Sequence, residues 1–459
     1  MLTVHVKRDW LTAALIFAGL FAVYRLSPIH PIYDSRYEMF FSQQLLWEHS
    51  AGAKPTAFPE LKSHKPGQVH TRGIDFSYHL IQKGDRFYYL FPPGTVILSI
   101  PFVALANMAG ISTVDSTGTY DEFGELRIQS DLAALLTAAF GTVIFLTSRI
   151  ILSLSWSVLL SVGTALGSQM WSTASRSMWI HTWGILIMGV AVWLILRTEV
   201  TKKRLPPFLL ATALSWSFFV RPTFAIPIAV IAVWILIYHR NIFLPFAVTG
   251  VTWLGLFIAY CYYAFGEPLP MYIGSDWSIM NFGRLFGLRL AGSLVSPARG
   301  LLVYSPILLF LAYLLVRYRR ELRPNLPVLA LIIICLHLLF ISNYILWHGG
   351  HCYGPRYTTD LIPWFVLLSI LGVEARLRWR TKNRDRDTGF RIWTETSIAT
   401  LLLACSITLH GIGAISVEAW RWNAILPGVE KDPARLWDWK HAPFLGPPAP
   451  APTDQNIRG

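Results

Sequence analysis

The sequence predicts an all-α polytopic membrane protein, a bundle of about eleven crossing helices with a long first extracytoplasmic loop. Three observations predict it. Hydrophobic residues fill 54% of 459 positions and charged residues only 14%, against roughly 25% charged in an average soluble chain. The charges gather in short clusters between apolar runs that reach or approach the ~20 residues a helix needs to cross ~30 Å of hydrocarbon. The net charge is +13, with the cations flanking apolar segments, a mark of membrane topology rather than of a nucleic-acid footprint. Nineteen Trp suit the headgroup region, where one edge of an indole stays wet.

Apolar runs lie at 10–26, 92–109, 130–150, 154–172, 178–196, 206–220, 223–238, 242–265, 300–316, 325–346, 359–373 and 394–416. Lys7 and Arg8 precede the first, and no small-residue cleavage site follows, so it reads as a retained span that starts in the cytoplasm. The basic clusters Arg197/Lys202/Lys203/Arg204, Arg317/Arg319/Arg320/Arg323 and Arg376 to Arg391 belong in the cytoplasm by the positive-inside rule. Loops 27–91, 266–299 and 347–358 and the tail after 416 then face outward. Between the first loop and Arg197 an odd number of crossings is required, yet four runs intervene. The run 92–109 opens with Pro92 and Pro93 and holds Pro101, so it is read as re-entrant or interfacial, leaving eleven crossings. Residues 1–416 form the membrane domain. Residues 417–459, rich in Trp and then Pro, are expected to be an irregular, partly disordered outer extension. The four cysteines give no disulfide framework, and no internal repeat is visible.

The polar residues that interrupt this pattern are the functional candidates. The first loop opens HPIYDSRYEMFFSQQLLW. Asp34, Arg36, Tyr37 and Glu38 precede or begin an amphipathic helix lying in the interface, with Asp34 either at the membrane boundary or as its N-cap. Further on, DRFYYLFPPG offers Tyr88 and Tyr89 as interfacial aromatics. The segment WHGGHCYGPRYTTDLIPW (347–364) uses Gly349, Gly350 and Gly354 for a tight turn and projects His348, His351, Tyr353, Arg356 and Asp360. His348, His351 and Cys352 lack the fourth ligand of a structural zinc site, so no metal and no cofactor is expected. Arg356 reads as an anion ligand, since guanidinium grips phosphate through two parallel bonds. Asp131, Arg176, His181 and Arg221 sit in or beside apolar runs. A charge there costs ~2.5–3.5 kcal/mol even on lenient scales, so they are candidates to line a wet site; Arg221, before Pro222, reads equally as a boundary residue. Arg299, in SPARGLLVYSP (296–306), either snorkels to headgroups or joins Arg356.

Taken in order, the first-loop acid in YDSRYEMFFSQQLL, the FPPG before an apolar run, and the 296–306 and 347–358 segments resemble the GT-C membrane glycosyltransferases, especially the protein-mannosyltransferase and aminoarabinose-transferase type. Seven crossings before the 266–299 loop are similar to that fold's shared module. The resemblance implies a GT-C-like helix bundle in the bacterial inner (plasma) membrane. It also implies transfer of a sugar from a polyprenyl-phosphate donor to the hydroxyl of an unidentified glycan, lipid or protein acceptor at the outer face. Asp34 would be the base of an inverting displacement. Glu38 would substitute for the second acid, since Asp34 is followed by Ser35 and Arg36. Arg356, Arg221 and Arg299 would hold the donor phosphate. Arg36, Tyr37, Tyr88, Tyr89, His181, His348, His351 and Tyr353 would contact substrate. Lys83 and Arg86 lie near the place of the basic residue that precedes the family's double proline. Membrane lipids are the other partners, and nucleic acid is not expected. A transporter or lipid flippase, and a non-catalytic assembly partner, are the competing readings.

Overall fold

The computed structural model describes residues 2–32, 34–59, 79–270, 283–384, 388–425 and 428–446. Residues 60–78 of the first loop, 271–282 of the second and 447–459 of the tail lie outside them. All twelve apolar runs are helical. In chain order the helices are α1 (Leu2–Leu26), α2 (Glu38–Trp47), α3 (Gly94–Met108), α4 (Glu122–Ser148), α5 (Leu154–Leu166), α6 (Ile180–Thr201), α7 (Pro207–Val220), α8 (Ala225–Tyr238) and α9 (Arg240–Phe265). They continue as α10 (Phe286–Val295), α11 (Leu301–Tyr304), α12 (Ile307–Arg317), α13 (Leu326–Ile341), α14 (Ile362–Lys382), α15 (Gly389–Ile415) and α16 (Val417–Arg421). Helix is the backbone's solution in lipid, because it satisfies every N–H and C=O within the segment.

Five of these helices are long and apolar enough to cross a membrane: Lys7–Leu26 of α1, and α4, α6, α9 and α15. The run 92–109 gives a 15-residue helix, about 22 Å at 1.5 Å per residue. α5, α7, α8 and α12 are shorter still, so length does not single out α3. α1 packs on α4 and α5, α4 on α6, α6 on α7, and α14 against α6, α12 and α13. Gly94 brings α3 onto α7 backbone to backbone: a Cβ there would lie 2.3 Å from the Phe219 carbonyl carbon.

The first loop departs from an all-α reading. β1 (Gly52–Ala53), β2 (Leu80–Lys83) and β3 (Arg86–Tyr89) form an antiparallel sheet in the order β1-β3-β2, pairing Gly52 with Tyr88 and Leu80 with Tyr89. It closes over an aromatic core of Tyr37, Phe40, Phe41, Phe58, Phe87 and Tyr89. Asp34 is not the N-cap of α2. Tyr37 holds that place in the left-handed region, φ 70°, and the orphan N–H groups of the first turn are met from another helix. The Glu125 carboxylate of α4 accepts from Met39 N at 2.9 Å and Phe40 N at 2.8 Å.

Beyond α15 the described residues, 417–425 and 428–446, form short helical turns and loops packed against the rest of the chain. Trp422, Val429 and Leu436 bury against Ala298, and Asn423 Nδ2 donates to the Cys352 carbonyl at 3.0 Å.

Candidate functional site

Two local features aim the site. Arg221 stands where α7 stops, in extended conformation (φ −152°, ψ 114°). The following Pro222 disfavours helix for the residue before it, and the break turns Arg221 inward. The second feature is a 3-10 turn, Arg356–Leu361, which carries Arg356 and Asp360 four residues apart. It docks on the segment entering α6: Arg356 lies over the Trp179 ring at 3.8 Å, and His181 Nδ1 meets Asp360 Oδ1 at 2.7 Å.

The outer layer pairs Asp34 with Arg356. The two are ion-paired, Asp34 with its side chain 31% exposed and Arg356 at 6%. Arg356 Nη1 also donates to the Gly349 carbonyl at 3.3 Å, while its buried Nε–H has no hydrogen-bond partner among the described residues. Burial lowers the pKa of that guanidinium, but Asp34 and the Tyr357 ring reverse this, and the net shift is upward. It stays a cation throughout. The turn bearing Asp34 is tied from behind: Gln129 Nε2 donates to the Ser35 carbonyl at 2.7 Å, Ser35 Oγ meets Ser177 Oγ at 2.6 Å, and Tyr89 Oη donates to the Asp34 carbonyl at 3.2 Å.

Beneath it lies a second layer. Arg221 Nε donates to Asp360 Oδ2 at 2.5 Å and to Thr223 Oγ1 at 2.9 Å, and Thr223 Oγ1 reaches the same Asp360 oxygen at 3.1 Å. His181, Arg221 and Asp360 are all buried, and His181 Nε2 has no partner among the described residues. Ionised groups at this depth are tolerated only when paired, and here each charge has its counter-charge.

Two clefts open beside these layers. One, small and about the size of a water molecule, is lined by Arg356, Arg299, His348, Trp347, Ser293 and Tyr357 among others. The other, no roomier than about one water molecule, is apolar, lying between Phe41, Tyr89, Phe91, Val96, Tyr260 and Phe265.

Several sequence expectations need correction. Glu38, expected beside Asp34 as a second acid, is wholly buried, and neither carboxylate oxygen has a hydrogen-bond partner among the described residues. Burial first, then the neighbouring Glu125 carboxylate, push its pKa well above the usual carboxylate range. Glu38 is thus a neutral acid in helix packing. Arg299 lines the polar cleft but spends its N–H groups on the chain: it donates to the carbonyls of His348, Gly350 and Ala298 and to Asn423 Oδ1. It is a staple between loops. Tyr353 is structural too, its hydroxyl donating to the Leu409 carbonyl at 2.7 Å with the ring edge-on to Tyr304. His348 is buried, and burial together with Arg299 and His351 lowers its pKa to about 3; His351 is exposed.

Arg36 bridges to Glu122 at 2.8 Å on the surface, Tyr37 fills the loop core, and Tyr88 packs on Phe265. Lys83 and Arg86 are engaged by backbone carbonyls, Lys83 by Phe265 O and Arg86 by Gly52 O. Among the polar residues flagged beside spans, Asp131 pairs with Arg25, and Arg176 donates to the Tyr24 and Ser27 carbonyls, capping the end of α1. Among the described residues no three His, Cys, Asp or Glu side chains gather as they would for a metal ion.

Sequence reasoning missed Trp179, the platform under Arg356, and the pairing role of Asp360. Trp179 stands two residues before His181, and Asp360 four after Arg356, so their spacing was the available signal. No protein-family model matches the chain, and no curated protein matches it.

Proposed function

We propose that the chain is a GT-C-type membrane glycosyltransferase with about eleven crossings, moving a sugar from a polyprenyl-phosphate donor to an acceptor hydroxyl at the extracytoplasmic face. One observation carries the reading. A half-buried carboxylate, Asp34, is held by a buried arginine stacked on an indole, and that arginine keeps one donor unused.

In this reading the donor phosphate takes the Arg356 N–H groups that Asp34 occupies at rest and frees the carboxylate. Asp34 accepts the proton of the acceptor hydroxyl as that oxygen attacks the anomeric carbon. The bond from that carbon to the phosphate oxygen breaks, the electron pair leaves with the lipid phosphate, and configuration inverts. Lipid phosphate is a good leaving group, so a single carboxylate suffices, unlike the acid pair of glycosidases. Arg356 neutralises the departing charge where water is scarce and electrostatic stabilisation is strongest. The Arg221–Asp360–His181 layer fixes the turn from which Arg356 projects. An isoprenoid tail would lie along the apolar helices of the bundle, at ~0.8 kcal/mol per buried methylene.

The test is sugar transfer in proteoliposomes from a panel of polyprenyl-phosphate sugars. Wild type should transfer, and a folded Asp34→Asn variant should lose about 10²–10⁴-fold in rate, the range of a lost general base. Transfer undiminished in Asp34→Asn removes the assigned base, and no transfer by wild type across the panel removes the reading.

A further inference from the structure

The two halves of the site come from distant parts of the chain, and one side chain joins them behind the reacting groups. Asp34 sits in the turn before α2, while Trp179, the platform under Arg356, sits in the segment that enters α6. Between them stands Gln129, two turns into α4 and wholly buried.

A primary amide can donate two hydrogen bonds and accept two, and Gln129 makes all four. Its Nε2 donates to the Ser35 carbonyl at 2.7 Å and to Glu125 Oε1 at 2.6 Å. Its Oε1 accepts from Ser177 Oγ at 2.9 Å and from Met178 N at 3.2 Å. The backbone partners fix which way the amide points, since a carbonyl only accepts and a peptide N–H only donates. Ser35 follows Asp34, and Met178 precedes Trp179. The contacts therefore close a ring that runs from Asp34 to Arg356, on to Trp179, back through Met178 to Gln129, and from there to Ser35. Ser35 Oγ and Ser177 Oγ, 2.6 Å apart, brace it across. Glu125, one turn earlier on α4, holds Met39 N and Phe40 N, so the Asp34 turn and the helix after it hang from one face of α4.

We propose that Gln129 is a positioning residue, which sets the separation of Asp34 from Arg356 by fixing the Asp34 turn and the Trp179 segment on one amide. Its effect on rate rests on the sugar-transfer reading above; the link between the two segments belongs to the resting fold. The chemistry of an amide is needed there. Glutamate of the same shape has at most one proton for the two oxygens that Gln129 now serves, and methionine has none.

The experiment compares Gln129→Met with Gln43→Met in the full chain in proteoliposomes. Gln43 is a control of the same kind, a buried glutamine whose bonds run to Ser112, Asn107 and Thr113 rather than to the ring. Both substitutions should lower thermal stability. Gln129→Met should lose about 10²-fold in kcat, the cost of a misplacement of about 1 Å, with KM little changed because the groups that meet the substrates are all present. Gln43→Met should keep kcat. Hydrogen exchange without donor gives a second readout. In Gln129→Met, segments 34–38 and 175–179 should both exchange on the order of tenfold faster, whereas in Gln43→Met the second should exchange as in wild type. If Gln129→Met does not fold, Gln129→Glu takes its place, and the same losses are expected of it. Wild-type kcat in the folded Gln129 variant, equal kcat losses at positions 129 and 43, or faster exchange in only one of the two segments would each overturn the proposal. If wild type transfers no sugar, the assigned reaction falls, and hydrogen exchange alone decides the link.

Discussion

Replacing Asp360 by Asn preserves the shape of the buried layer and removes its only carboxylate. Arg221 would then lose its counter-charge, keeping the Thr223 hydroxyl at 2.9 Å and at best a neutral amide oxygen, and His181 Nδ1 would lose its anionic acceptor at 2.7 Å. The Arg221 and Asp360 side chains are only 5% and 2% exposed, so water screens little of the change. Breaking a buried pair from one side costs about 3–5 kcal/mol, because a charge is left uncompensated. At 1.4 kcal/mol per decade, 3 kcal/mol is a factor of about 100. The assay is the half-life of folded protein at a fixed elevated temperature in one detergent, the operational stability of a protein that unfolds irreversibly. Asp360→Asn should shorten it by about 100-fold or more. The double variant Arg221→Met/Asp360→Leu should recover much of the loss, since apolar replacement of a whole buried pair is often neutral or better. The coupling is refuted if Asp360→Asn keeps the wild-type half-life, or if the double variant loses the sum of the two single losses.

Two further predictions concern the packing around the first loop. Glu38 has its carboxyl raised in the fold, so its contribution to stability is complete below the unfolded value of ~4.3 and is lost as pH rises through the folded one. Glu38→Gln should therefore raise stability more at pH 8 than at pH 5 in a pH series of melting curves; an equal effect at both would mean Glu38 is not held neutral. Gly94→Ala should destabilise by about 1–3 kcal/mol or more through overpacking, because its methyl would meet the immovable backbone of Phe219 and Val220. A melting temperature unchanged by that substitution would show that α3 and α7 do not touch.

The helices were legible because the bilayer leaves the backbone no alternative, and each apolar run became one. Arg356 was legible as well, as a lone cation in a glycine-rich turn. Its partner was a candidate only in its own right: Asp34 and Arg356 are 322 residues apart, and no local pattern encodes their meeting. The same holds for Asp360 with His181 and Arg221, at separations of 179 and 139 residues. Glu38 misled because an acid four residues after Asp34 reads as its companion. The turn at 34–37 instead delivers it to the first position of α2, buried beside Glu125. Arg299 misled for a different reason: an arginine in an outer loop looks available until its neighbours' carbonyls are counted. The strands of the first loop were hidden by their brevity, two to four residues each.

The Arg356 turn is braced by parts of the chain made at very different times. Arg356 grips Gly349, Arg299 grips His348 and Gly350, and Asn423 holds both Arg299 and Cys352. Asn423 comes after α15, the last of the long apolar helices, so a ribosome delivers it once the bundle's other helices have already been synthesised. The Arg356 turn therefore receives its final brace only after synthesis of α15, and a nascent chain stalled before that point holds these helices without the set geometry of the turn. Assembly of the bundle and arming of the site are in this way separate events, in that order.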